Sequence, residues 1–147
     1  MPNFYIERLI VTGNCKEPSI LEFKDGLNIV CGPSDSGKSY VLECIDYLFG
    51  SDKIRLDRIT GYDLIKMIVS TENGKVTFER LLDTKRIRVS STDRNIESGY
   101  YGISGKINNI SDVWLQLIGI NKEHYIIKNS RYERQRLLGE RFHICFL

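Results

Sequence analysis

The chain has 147 residues, 41% of them hydrophobic and 27% charged, and its net charge of +2 argues neither for nor against a polyanionic partner. That length supports one core and hardly two, and the composition is that of ordinary soluble globular material. No apolar run approaches the roughly 20 residues that cross a bilayer, and Met1-Pro2-Asn3-Phe4-Tyr5-Ile6-Glu7 lacks a basic region followed by an apolar stretch; a cytoplasmic protein with no membrane partner is expected.

Phe4 to Val11 is strand-like, and Thr12 to Pro18 is a turn-rich connection. Ser19-Ile20-Leu21-Glu22-Phe23 reads as a second strand, and Lys24-Asp25-Gly26 turns the chain into Leu27-Asn28-Ile29-Val30-Cys31, which is short, apolar and β-branched as a buried strand should be. Gly32-Pro33-Ser34-Asp35-Ser36-Gly37-Lys38-Ser39 then matches the phosphate-binding P-loop (Walker A) pattern at every required position. The pattern has a geometric reason. Glycines let the backbone approach a polyphosphate while successive N–H groups and the start of the next helix face the anion. Lys38 is expected to reach the β- and γ-phosphates and the Ser39 hydroxyl to hold magnesium, so ATP and Mg²⁺ are the expected cofactors. Tyr40 to Phe49 follows as a helix with Val41, Leu42, Ile45, Leu48 and Phe49 on one face and Gly50 as its stop. Tyr40, next to the loop, completes the candidate nucleotide-binding set of residues 32–40, whereas no catalytic residue can be assigned.

Residues 51–62 are polar and weakly periodic. Beyond them the pattern changes to strands at Leu64 to Ser70, Val76 to Leu81 and Arg86 to Ser90, joined by a hairpin signal at Glu72-Asn73-Gly74-Lys75 and a turn at Asp83-Thr84-Lys85. These form an antiparallel meander over residues 64–90, not a further βαβ unit. Ser91 to Ile110 reads as surface loop, and Ser111 as the N-cap of a helix carrying Val113, Trp114, Leu117 and Ile118, ended by Gly119. Trp114 at helical spacing is read as a core residue rather than a platform for adenine. From Asn121 the pattern weakens, and the apolar ending Ile144-Cys145-Phe146-Leu147 suggests further chain beyond it.

Cys15, Cys31, Cys44 and Cys145 contain no Cys-x-x-Cys pair and are read as reduced core thiols; His124 and His143 have no ligand-like spacing. Basic residues gather at Lys85, Arg86, Arg88 and Arg94 and again at Lys128, Arg131, Arg134, Arg136 and Arg141. Such clusters can mark a nucleic-acid footprint, though a solvated face is the simpler reading.

The succession of strand, turn, Leu21-Glu22-Phe23, Asp25-Gly26-Leu27-Asn28-Ile29-Val30, Gly-x4-Gly-Lys-Ser and apolar helix resembles the N-terminal lobe of SMC-like DNA-repair ATPases of the SbcC, RecF and RecN type. The resemblance covers residues 4–50 by motif and 64–90 by architecture. It implies an α/β fold of P-loop NTPase type, an ABC- or SMC-head-like lobe in which residues 1–147 form a single incomplete domain. It further implies that Gly32, Ser36, Gly37, Lys38 and Ser39 contact phosphate and magnesium and that Asn28 belongs to the strand motif. The implied partners are a C-terminal lobe or second head of the same ATPase, DNA and a nuclease subunit. Where the family has Asn-Gly, this chain has Ser34-Asp35, and Asp35 would bring a carboxylate near the phosphates. The chain also has no apolar strand ending in Asp-Glu, and Gln135 sits in an arginine-rich context unlike a glutamine loop. ATP binding without hydrolysis is therefore expected of this chain alone, with a complete form that hydrolyses ATP in DNA repair, chromosome or defence transactions. The competing readings are a non-catalytic remnant or partner-docking fragment and a stand-alone P-loop kinase. Asn121-Lys122-Glu123-His124 argues against a GTPase, since it fails at the acid needed for guanine.

Overall fold

The computed structural model describes residues 3–56, 58–120, 125–127 and 134–136. A six-stranded antiparallel sheet in the order β2-β1-β3-β4-β5-β6 dominates it. The strands are β1 (Phe4–Gly13), β2 (Lys16–Glu22), β3 (Leu64–Thr71), β4 (Gly74–Leu81), β5 (Arg86–Ser91) and β6 (Gly99–Gly102). Two helices accompany them, α1 (Lys38–Phe49) and α2 (Ile110–Ile118), and the short strands β7 (Tyr125–Ile127) and β8 (Arg134–Arg136) pair with each other. None of the helices among the described residues is long and apolar enough to cross a membrane.

The meander expected over residues 64–90 forms, with strict alternation on β3 and β4: Ile65, Met67 and Val69 face inward beside Val76, Phe78 and Arg80. Opposite them pack Cys44, Ile45, Tyr47 and Leu48 of α1 and Ile110, Val113, Trp114, Leu115 and Leu117 of α2. Trp114 is a core residue as expected, its ring stacked at 3.9 Å on Phe49 and 4.3 Å on Phe78, and its indole N–H donates to the Leu48 carbonyl.

Several expectations are corrected. Leu27 to Cys31 is not a buried strand: the segment has no regular structure, and Leu27 and Ile29 are 89% and 75% exposed. A strand needs a neighbour for its ladder, and among the described residues this stretch pairs with none. The Asn28 amide accepts from the Lys24 N–H at 2.9 Å and donates to the Lys24 and Gly26 carbonyls, closing the turn after the last rung, Phe23 N–H to Glu7 carbonyl. The loop over residues 91–110 contains β6, which pairs with β5 because Ile87 and Val89 need that edge covered to stay buried. The helix before Gly119 is capped by Asn109, whose side chain accepts from the Ser111 N–H; Ser111 lies two residues inside. Leu42 is exposed, and Cys44 and Tyr47 replace it on the packed face of α1. Cys15 and Cys31 are exposed free thiols, so of the described cysteines only Cys44 is a core thiol, and burial pushes it up to about 12. His124, His143, Cys145 and most of the second basic cluster lie outside the described residues.

Candidate functional site

α1 begins at Lys38, and its N-cap is Gly37 at φ 85°, a left-handed conformation that glycine adopts without cost. No side chain caps this end and no acid lies in its first turn, whereas α2 has both, Asn109 as cap and Asp112 behind it. The Tyr40 N–H donates to the Gly37 carbonyl at 3.0 Å, and the N–H groups of Lys38 and Ser39 are left for an external acceptor, at the positive end of the helix dipole. Residues 32–37 arch in front of them. A Cβ on Gly32 would stand 2.7 Å from the Ser36 hydroxyl, which would have to turn aside to admit it. Lys38 folds back under it, its Nζ donating to the carbonyls of Gly32 (2.6 Å) and Pro33 (2.5 Å) and reaching Ser36 Oγ at 3.3 Å.

Beside the arch lies a cavity of about 370 Å³ lined by Asp35, Ser36, Gly37, Lys38, Ser39, Tyr40 and Arg55. Of the residues singled out in the sequence, these come together on one wall; Gly32, Pro33 and Ser34 form the arch behind. Asp35 takes φ 61°, a left-handed position that aspartate tolerates. The volume, the donors of the helix end, the Lys38 ammonium and the Ser39 hydroxyl fit a nucleotide polyphosphate with its metal. Among the described residues no group of three or more acidic, cysteine or histidine side chains could hold a metal alone, so magnesium would rest on Ser39, phosphate oxygens and water.

Arg55 escaped the sequence reading, since it lies in the aperiodic stretch after α1. Its guanidinium binds the carboxylate of Glu43, with Nε 2.5 Å from Oε1, and lies 5.6 Å from the Tyr40 ring. Bonding to Glu43 favours its charged form. The one sequence signal for this arrangement is the three-residue spacing of Tyr40 and Glu43, which puts both on one side of α1.

The far end of α1 is held by Arg80, which is 1% exposed. Its Nη1 donates to the carbonyls of Tyr47 (2.5 Å) and Ser51 (2.7 Å), its Nε and Nη2 donate to the Thr84 carbonyl, and its plane lies 3.5 Å from the Tyr47 ring centroid. Burial lowers the guanidinium from its ordinary value, and the Tyr47 hydroxyl opposes that shift. A cation on the last carbonyls of α1 suits the helix dipole and ties the loop-bearing helix to the β4–β5 turn.

A larger recess of about 520 Å³ lies near α2, where Arg94 meets the carboxylates of Glu97 and Asp112, a poor match for a polyanion. Compared with known proteins, residues 13–145 match the family described as AAA domain. No curated protein matches the chain.

Proposed function

The chain belongs to the AAA domain family, whose function is nucleotide binding of ATPase type, and from that premise we propose that residues 32–40 bind the phosphates of ATP together with magnesium. The observation that carries the proposal is the uncapped, acid-free N-terminus of α1 standing behind a glycine arch with Lys38 beneath it. In this reading the main-chain N–H groups and Lys38 hold the phosphates, Ser39 holds the metal and Tyr40 flanks the site. Arg55 adds a second cation on the cavity wall. When bound, ATP brings the phosphoanhydride and magnesium the charge that offsets it.

The finer reading is the N-terminal lobe of an SMC-like ATPase of the SbcC, RecF or RecN type, acting on DNA from the cytoplasm. Its support is the order β1, β2, Asn28-bearing segment, glycine arch and α1, followed by an antiparallel sheet. A C-terminal lobe or second head, and a nuclease subunit, are the partners that go with it, and this chain alone binds without hydrolysing. The docking reading also has an observation in its favour: Leu27, Ile29 and Val30 are exposed on the segment that feeds the arch, where a completing lobe would cover them.

Equilibrium binding of Mg-ATP to the chain and to Lys38→Ala tests the proposal. Saturable binding weakened about 10- to 100-fold in the variant is expected, the worth of a charge-assisted hydrogen bond to phosphate. A folded wild-type chain that binds no Mg-ATP would overturn it in favour of a docking fragment.

A further inference from the structure

We propose that the outer face of β5 and β6 holds a single strand of nucleic acid, with Tyr100 as the platform for an unpaired base and Arg86 and Arg88 as the phosphate contacts. This surface is separate from the phosphate loop, since it lies on the side of the sheet turned away from α1 and α2. Ile87 and Val89 are buried against the core, so Arg86 and Arg88, which alternate with them, point outward. The register sets Tyr100 directly opposite Arg88 and Gly102 opposite Arg86. Tyr101, between them, packs against the core and donates its hydroxyl to the Glu97 carbonyl. Tyr100 is left 66% exposed on the outer face. A Cβ on Gly102 would meet the Ser104 carbonyl at 3.3 Å, so the loop after β6 borders this face beside Arg86.

The charges of the face favour a polyanion. Lys66, Glu79, Arg88 and Tyr100 form one row across four strands. The Glu79 carboxylate binds Lys66 at 3.0 Å and lies 3.7 Å from Arg88, so one acid serves two cations. Arg86 is exposed and has no ion-pair partner among the described residues. Lys85, at the head of β5, is offset by Asp83 of the same turn and by Asp52 at 3.9 Å, which leaves about two positive charges in excess, at Arg86 and Arg88. Glu97 and Asp112 line the recess beside α2 instead. Arg86 and Arg88 stand about 6.7 Å apart along the strand, a step that neighbouring phosphates of an extended single strand can match. A flat sheet face does not enter a duplex groove, whereas an exposed ring takes an unpaired base of any sequence.

Fluorescence anisotropy with labelled oligo-dT and oligo-U of about 15 nucleotides tests the proposal and tells a DNA strand from an RNA strand. The proteins are the wild-type chain, Tyr100→Phe, Tyr100→Ala, Arg86→Ala and, as charge control, Lys24→Ala, an exposed cation beyond β2 and about 19 Å from β5 across the sheet. All these side chains are exposed, and the variants keep the fold. Tyr100→Ala is expected to weaken binding about tenfold and Tyr100→Phe by less than about twofold, because the ring carries the stack. The wild-type affinity is expected to fall with salt at a logarithmic slope of about −1.4, two phosphates at about 0.7 each, and Arg86→Ala to halve that slope while Lys24→Ala keeps it. Unchanged binding by Tyr100→Ala, a duplex or polyglutamate bound as tightly as the single strand, or no saturable binding by the folded chain overturns the proposal. Displacement of the strand by Mg-ATP overturns it too, by placing the strand in the phosphate loop. Mg-ATP binding by Tyr100→Ala and Arg86→Ala is expected to equal that of wild type, so failure of this face and failure of the phosphate site are read separately.

Discussion

Two arginines of this chain show how burial sets a residue's task. Arg55 is exposed, and its bond to Glu43 can be exchanged for another anion at little cost, as exposed pairs generally can. Arg80 is enclosed, its N–H groups donating to main-chain carbonyls and its guanidinium lying against Tyr47. Replacing it removes the side-chain donor to the Ser51 oxygen and leaves the Tyr47 and Thr84 oxygens with one donor fewer, so Arg80→Met is expected to cost about 3 kcal/mol in urea unfolding followed by the single tryptophan, Trp114. Arg80→Lys keeps the charge but cannot span carbonyls on both sides, and an intermediate loss is expected. A Met variant as stable as wild type would mean that the guanidinium is no tie. The alternating pattern of Val76, Phe78 and Arg80 put the residue on the inward face, yet nothing in the sequence revealed its partners, since they are carbonyls brought from α1 and the next turn.

Among the elements, the segment before the glycine arch departs furthest from its sequence. Ile29 and Ile65 are the same residue in similar apolar runs, but Ile65 is fully enclosed between β1 and β4, whereas Ile29 has no paired neighbour among the described residues. Ile65→Ala is therefore expected to lose about 2–5 kcal/mol and Ile29→Ala less than about 0.5 kcal/mol in the same unfolding measurement. Equal losses would show that residues 27–31 pack as the buried strand their composition suggests. Periodicity reports that a stretch is suited to burial; it carries no information on which strand will flank it. The meander was legible because each of its strands pairs with the next along the chain, through turns whose residues announce themselves at Asn73-Gly74 and Asp83. β6 was not, because its four residues around Gly99 and Gly102 are recruited by the open edge of β5 rather than by any pattern of their own.

For the molecule as a whole, the sheet order places β3 and β4 at the centre and the glycine arch outside the sheet. Hydrogen exchange is expected to be slowest in β3 and β4 and fastest in residues 24–36, with Mg-ATP slowing residues 33–38 and leaving the central strands as they were. Protection by nucleotide that appeared only around α2 would place the ligand in the other recess. The candidate site is thus a loop mounted on a helix whose far end is held both by Arg80 and by Trp114. Such a design leaves the loop backbone accessible while the helix behind it is held.

The sequence by itself determined the glycine arch, Lys38 and Ser39, the inward faces of β3, β4 and β5, and the burial of Trp114, because each depends on local geometry or on a repeat of two or four residues. Only the tertiary structure decided that Arg55, held by Glu43, joins the cavity wall, that Arg80 closes the end of α1, and that Leu27, Ile29 and Val30 stay uncovered. Those outcomes depend on contacts between segments far apart in the chain, and spacing along the chain does not encode which distant surface will be present to meet a side chain.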